Sequence, residues 1–148
     1  MKIRLFYVPY DSGRRSWRTG AGPERILAGG LIERLAAAGH PVATQVIEVA
    51  ADSGTGEIAT AFALNRRLAE GVADARAAGE FPVVLGGNCG TALGAVSGIG
   101  VEKTALLWFD AHGDFNTPET TLGGFLDGMG LAIIAGHCFR WLALQSIE

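Results

Sequence analysis

Segments with the pattern of β-strands alternate along this chain with segments that have the pattern of α-helices. Short apolar runs rich in β-forming residues predict four strands, at residues 3–8, 42–49, 82–85 and 104–109. Helical spacing or Ala-rich composition predicts helices at residues 23–39, 57–78 and 91–96, and over most of the chain from residue 125 onward. This alternation predicts an α/β fold, with a parallel sheet covered by helices on both faces.

The first predicted helix begins where Pro23 and Glu24 suit the first turn, and it ends at Gly39. Apolar residues recur along it at helical spacing, which predicts a buried stripe. The stripe consists of Ile26, Leu27, Leu31, Ile32, Leu35 and Ala36. The preceding residues 9–22 are rich in Gly, Pro, Ser and Arg, so we expect a long surface loop there.

The fourth predicted strand is followed by three side chains that can bind metal, Asp110, His112 and Asp114. Side chains two residues apart lie on the same face of an extended chain, so we expect these three to converge on one point. Two carboxylates and an imidazole suit a divalent metal, and ligands of parallel α/β sheets bind outside the carboxyl ends of strands. Gly113 lets the chain turn without a side chain in the way. The alternative is that these residues are only turn formers.

Composition narrows the class of protein. The chain has 148 residues, of which 49% are hydrophobic, and a formal net charge of -3, so one domain with a real core is expected. Twelve Lys and Arg residues against fifteen Asp and Glu residues leave no positively charged surface for binding nucleic acid, so we do not expect a nucleic-acid partner. Two unpaired cysteines favour a reducing, cytoplasmic location.

Residues 81–101 carry no charge, but six glycines favour a strand, a turn and a helix over a membrane span. A phosphate site at the glycine turn of residues 86–90 has little support, because no Walker pattern is present.

Residues 110–118, Asp-Ala-His-Gly-Asp-Phe-Asn-Thr-Pro, resemble the metal signature of the ureohydrolases, the superfamily of arginase, agmatinase and formiminoglutamase. The Gly86-Gly87 turn lies where that family carries Gly-Gly-Asp-His. Residues 10–13 and 20–23 resemble its N-terminal loop and the start of its first helix. The resemblance covers nearly the whole chain. It implies an arginase-like, three-layer αβα fold with a mostly parallel sheet, present here in truncated form.

The resemblance also implies an activity. Members of this family are hydrolases with two manganese ions, which cleave a C–N bond of a guanidino or amidino compound and release urea or a similar product. By motif, Asp110 would bridge both metals, Asp114 would bind one and His112 the other. Asn116 would lie near the polar tail of the substrate.

Two positions depart from the family pattern. Cys89 stands in place of a histidine ligand, after Asn88 in place of an aspartate. A thiolate favours zinc over manganese, so Cys89 is either a metal ligand or a small buried thiol. Asp127 stands in place of a histidine thought to relay protons. It could take that catalytic role only if its pKa were raised, and the alternative is a solvated loop aspartate.

The third departure is length. The family supplies two further carboxylates from a later Asp-x-Asp strand end, and no such motif occurs up to Glu148. We therefore expect residues 1–148 to form a single arginase-like domain that lacks the C-terminal half of the family fold and binds metal weakly or singly. By the family's strand order, strands from that half lie between the third and fourth strands here. Either these two strands pair directly, or a homo-oligomer or another partner covers the exposed edges. Functionally, the chain is either a metal-dependent hydrolase or a catalytically inactive remnant or subunit that keeps the fold.

Overall fold

The structure is a computed structural model that describes residues 1–49, 56–100 and 104–144. Its strands are β1 (Ile3–Val8), β2 (Tyr10–Asp11), β3 (Arg14–Arg15), β4 (Val42–Val46) and β5 (Phe81–Gly86). Its α-helices are α1 (Gly22–Ala28), α2 (Leu31–Ala37), α3 (Glu57–Ala77), α4 (Ala92–Ile99), α5 (Gly130–Ile134) and α6 (Arg140–Leu144). Short 3₁₀ turns precede α1, α4 and α5.

The central strand of the main sheet is β1. It pairs in parallel with β4 on one side and with β5 on the other, which gives the order β4-β1-β5. Leu5, Phe6 and Val8 are fully buried, because helices and loops cover both faces of this strand. The first and third predicted strands are confirmed, and the second is confirmed from Val42 but ends three residues early, at Val46.

The long helix α3 is confirmed close to its predicted ends, and it supplies most of the helical part of the core. Leu64, Leu68 and Val72 pack with Phe6 and Val8 of β1 in one hydrophobic cluster. Helix α4 lies against α3 at very short range, because it presents glycine where the two helices meet. A Cβ atom on Gly98 would come within 2.5 Å of the Ala69 carbonyl oxygen. The helix pair and the sheet together fix the position of the turn that follows β5.

The prediction of a fourth strand is wrong. Residues 104–109 form neither a helix nor a strand, and five of these six residues are exposed. A strand is stable only when its peptide groups pair with a neighbour, and β5 pairs only with β1 among the described residues. Strict alternation of strand and helix is therefore also wrong.

The N-terminal loop and the first helix differ from their predictions as well. Within residues 9–22, β2 and β3 form a short antiparallel hairpin, and Tyr10 and Asp11 are buried. The first helix is broken at Gly29-Gly30, where Gly30 has φ +85. None of the six residues of the predicted stripe is buried, and Ile26 is 50% exposed. The break interrupts the helical spacing, so the two pieces do not share one buried face.

Residues 126–144 are mostly helical, as predicted, although the helices are short, and residues 145–148 lie outside the described residues. It forms a second hydrophobic cluster with α3 and α4, in which Leu126, Met129 and Ile133 pack against Phe62 and Leu93. No helix among the described residues is long and apolar enough to cross a membrane.

Candidate metal centre

Three side chains that can bind metal meet at the end of β5. One ligand atom from each of Cys89, Asp110 and Asp114 lies within 4.8 Å of the other two. Cys89 opens the 3₁₀ turn between β5 and α4, and its Sγ lies 3.6 Å from Oδ2 of Asp110. The two carboxylates come from the loop that follows residues 104–109. The structure thus brings together a predicted pair of carboxylates and the cysteine that replaces a histidine of the family pattern.

The backbone around Asp114 is held firmly. Its carbonyl oxygen accepts hydrogen bonds from the amides of Leu131 (3.0 Å) and Ala132 (3.3 Å) in α5, and the Asn116 amide donates to the Gly128 carbonyl (3.0 Å). Asp114 itself has φ +44, a left-handed conformation that aspartate tolerates better than most residues. One of its carboxylate oxygens, Oδ2, is buried and has no hydrogen-bond partner among the described residues. Such an orphaned anionic atom is costly unless a cation or a donor meets it.

The predicted convergence of three side chains fails for His112. Its side chain is 82% exposed, and it lies outside the group of three formed by Cys89 and the two aspartates. The chain bends at residues 110–112 instead of staying extended. As a result, both the His112 amide (3.0 Å) and its Nδ1 (3.4 Å) approach Oδ1 of Asp110. The bend turns the imidazole outward.

The local charges favour a cation. Burial and the neighbouring carboxylates of Asp114 and Asp110 raise the pKa of the Cys89 thiol to about 12. The hydrogen bond from the His112 amide lowers the pKa of Asp110, so this carboxyl group is ionised at neutral pH. A divalent cation between these groups would neutralise the carboxylates and would favour the thiolate. One thiolate and two carboxylates, one of them with a buried free oxygen, form a donor set that fits a zinc ion.

Asp127 lies on the 3₁₀ turn before α5, and it is 8% exposed. The expectation of a solvated loop aspartate is therefore wrong. Burial and the negative charges of Asp11, Glu57 and Asp114 raise its pKa from 3.8 to about 6, while Arg18 opposes this shift. This is the condition under which an aspartate could exchange protons near neutral pH.

The sequence did not identify Asp11 as one of the charged residues around Asp127. The Asp11 side chain is 5% exposed. It accepts a hydrogen bond from Ser12 Oγ (3.0 Å), and its Oδ2 lies 3.8 Å from Nε of Arg18. Its place in a loop matched to the family was the only signal in the sequence. Burial of this carboxylate follows from the hairpin, which no local pattern predicts.

Asn116 lies on a cleft of about 590 Å³ whose lining also includes His112 and Asp114. The same cleft is lined by Phe115 and Phe125, which are 49% and 56% exposed. Asn116 is exposed, and its Oδ1 is 3.4 Å from the hydroxyl group of Thr120. An amide, two aromatic rings and a carboxylate can together contact a flat cationic group and its tail.

Comparison with known proteins gives consistent matches. A family model described as Arginase family matches residues 1–143. Curated arginases of Bacillus caldovelox and Bacillus subtilis (strain 168) are 31% and 32% identical over 145 and 144 residues, which make up 90% of this chain and 48% of each relative.

Solved structures give the same result. The structure of arginase from Bacillus subtilis subsp. subtilis str. 168 has a TM-score of 0.79 and 33% identity, over 90% of this chain and 47% of that chain. Native arginase from Bacillus caldovelox has a TM-score of 0.75 and 31% identity, over 88% and 47%. This chain therefore spans about half the length of the relatives that it matches.

Proposed function

Since this chain belongs to the arginase family, we propose that it carries part of a metal-dependent hydrolase site of the ureohydrolase type. The expected arginase-like αβα fold is confirmed for the half of the family fold that the chain matches. One observation carries the functional proposal, namely the meeting of Cys89, Asp110 and Asp114 around a buried, unpartnered carboxylate oxygen. A buried carboxylate oxygen without a hydrogen-bond donor is stabilised by a bound cation.

The residues divide into three roles in this proposal. Cys89, Asp110 and Asp114 hold a divalent ion, and His112 holds a second one after a change of its side-chain orientation. Manganese is the metal that the family implies, whereas the thiol of Cys89 favours zinc or a single ion. When bound, the ion supplies Lewis-acid chemistry at a C–N bond.

The remaining residues act on substrate and protons. We propose a small guanidino or amidino compound as the substrate, because the relatives of this chain are named arginase. Asn116 orients its tail in the aromatic cleft. Asp127 holds or moves a proton, because its raised pKa lets both protonation states exist near neutral pH. We further propose that the site works in the cytoplasm, within an assembly that covers the edge of β5 that has no partner among the described residues.

A second candidate is an inactive subunit that keeps the fold. It is favoured by one observation, the outward orientation of His112, whose side chain is 82% exposed. In this role the chain contributes an interface or half a site, and it does not turn over substrate alone.

Metal binding tests the site directly. We expect the purified chain to bind zinc in calorimetric titration. Asp114→Asn should weaken this binding by roughly 10- to 100-fold or more, since a ligand matters at least as much as its supporting residues. The matched control is Asp74→Asn, the same substitution at an exposed position of α3. Failure of the wild type to bind either zinc or manganese would remove the proposal.

Activity separates the two candidates. Release of urea or ammonia from arginine, agmatine or guanidinobutyrate by the metal-loaded chain would support the hydrolase. Metal binding without any such release would support the subunit.

A further inference from the structure

A small cavity lies between β1, α3 and the 3₁₀ turn before α5. Its apolar wall consists of Val8, Ala61, Leu64 and Leu126, which belong to the two hydrophobic clusters of the core or pack against them. The cavity is therefore part of the packed interior. Its volume is about 30 Å³. A buried water molecule needs roughly 10–15 Å³, so one or two molecules fit and a larger ligand does not.

The buried residue Asp127 lines this cavity. It is 8% exposed, and no other described residue donates a hydrogen bond to its carboxyl group. The nearby side chains of Asp11 and Glu57 are negatively charged, and Arg18 lies 3.8 Å from a carboxylate oxygen of Asp11. A buried carboxylate without a donor is costly, so a donor placed in the cavity would stabilise it.

Asn88 supplies a second polar side chain at the same place. It precedes the 3₁₀ turn after β5, and its side-chain amide makes no hydrogen bond to another described residue. Oδ1 of Asn88 and Oδ1 of Asp127 each lie 3.5 Å from the position that a Cβ atom would take on Gly90. Gly90 also lines the cavity, so its missing side chain leaves both oxygens beside one shared space.

The remaining polar groups of the lining are already engaged. The side chain of Asn65 donates to the Ala61 carbonyl (2.9 Å) and accepts from the Gly94 amide (2.7 Å), and the Thr91 hydroxyl donates to the Asn88 carbonyl. Cations such as Ca²⁺ or Mg²⁺ take six or more oxygen ligands, which two free side chains and an apolar wall do not supply. A water molecule needs only two to four polar partners.

We propose that the cavity is a binding site for an ordered water molecule, which bridges the carboxyl group of Asp127 and the side-chain amide of Asn88. The water donates to the carboxylate and so supplies the donor that the protein itself does not. Its second contact holds the Asn88 side chain in one orientation. The bridge thereby joins the turn after β5 to the turn before α5. It does not depend on metal binding, on hydrolysis or on a proton-transfer role of Asp127.

High-resolution crystal structures of the full chain and of Gly90→Ala test this proposal. We expect a water in the wild type within about 2.5–3.2 Å of both side chains. Gly90→Ala should displace it, because the new methyl group takes the shared space. The variant should keep the fold, since both oxygens lie at an ordinary contact distance of 3.5 Å and the φ angle of Gly90 is not left-handed. A wild type without this water, or with a direct hydrogen bond between Asn88 and Asp127 in its place, would overturn the proposal.

Magnetic relaxation dispersion of water gives a second readout in solution, because it counts the water molecules that tumble with the protein. We expect Gly90→Ala to hold at least one such water fewer than the wild type. The matched control is Gly22→Ala, where the new methyl group would meet no atom within 4 Å. It should leave the count unchanged. Equal counts in the wild type and in Gly90→Ala would overturn the proposal.

Discussion

Two six-residue segments of this protein are alike in sequence and opposite in structure. Residues 3–8 (Ile-Arg-Leu-Phe-Tyr-Val) form the central strand, in which Leu5, Phe6 and Val8 have no exposed surface. Residues 104–109 (Thr-Ala-Leu-Leu-Trp-Phe) are at least as apolar, yet they form no strand and leave Phe109 93% exposed. β1 pairs on both sides, whereas residues 104–109 pair on neither among the described residues. Strand formation is thus decided by the available partners as much as by the run itself.

The largest expected effect tests this contrast with one substitution at two places. Phe6→Ala should lower the free energy of unfolding by about 3–5 kcal/mol, because it removes a fully buried ring and leaves a cavity. Phe109→Ala should change it by less than about 0.5 kcal/mol, because the ring is already in solvent. Urea unfolding at a dilution where the chain is monomeric measures both. Similar losses in the two variants would mean that residues 104–109 are packed in solution.

The next effect concerns the helix pair that supports β1. Gly98→Ala should lower the free energy of unfolding by about 1–3 kcal/mol, because the new methyl group would lie within 2.5 Å of the Ala69 carbonyl oxygen and force the helices apart. Gly22→Ala is the control, since no atom lies within 4 Å of the position that the new methyl group would take and φ is already helical. That control should be neutral or stabilising by up to about 1 kcal/mol. Equal thermal shifts in both variants would contradict the close packing of α3 and α4.

The same contrast explains what the sequence could and could not predict. β1, α3 and β5 follow from local patterns, because their partners are other well-formed elements of the same half-fold. The prediction of a strand at residues 104–109 is wrong because that strand requires a neighbouring strand, which the described residues do not supply. At the site, the motif located Asp110 and Asp114, and family position pointed to Cys89. The outward turn of His112 depends on a bend at residues 110–112 that no spacing rule shows.

A third, smaller effect depends on pH and concerns Asp127. Its pKa is raised to about 6 in the folded chain, so the folded state holds a proton that the unfolded chain has already lost. This contribution is fully present below about pH 4 and is lost as the pH rises through about 6. Asp127→Asn removes the charge without changing the shape. The variant should therefore match the wild type near pH 4 and be more stable by about 1–2 kcal/mol at pH 7.

Urea midpoints measured across this range for both proteins give the difference directly. The matched control is Glu119→Gln, because Glu119 is an exposed carboxylate whose pKa is lowered by a hydrogen bond from Thr117. It should give no gain in stability at pH 7. A constant difference between Asp127→Asn and the wild type at all pH values would show that Asp127 is not a buried, protonated group at low pH.

The smallest expected effect lies on the helix whose buried stripe was predicted and is not found. Ile26 is 50% exposed, so Ile26→Ala should change the free energy of unfolding by less than about 0.5 kcal/mol. Leu68→Ala, at a fully buried position of α3, should cost about 2–5 kcal/mol in the same urea titration. These two substitutions compare an exposed helical position with a buried one, as Phe109→Ala and Phe6→Ala compare an exposed with a buried position outside the helices. A loss above about 1.5 kcal/mol at Ile26 would mean that another layer covers α1 in solution, since an exposed side chain has little burial to lose.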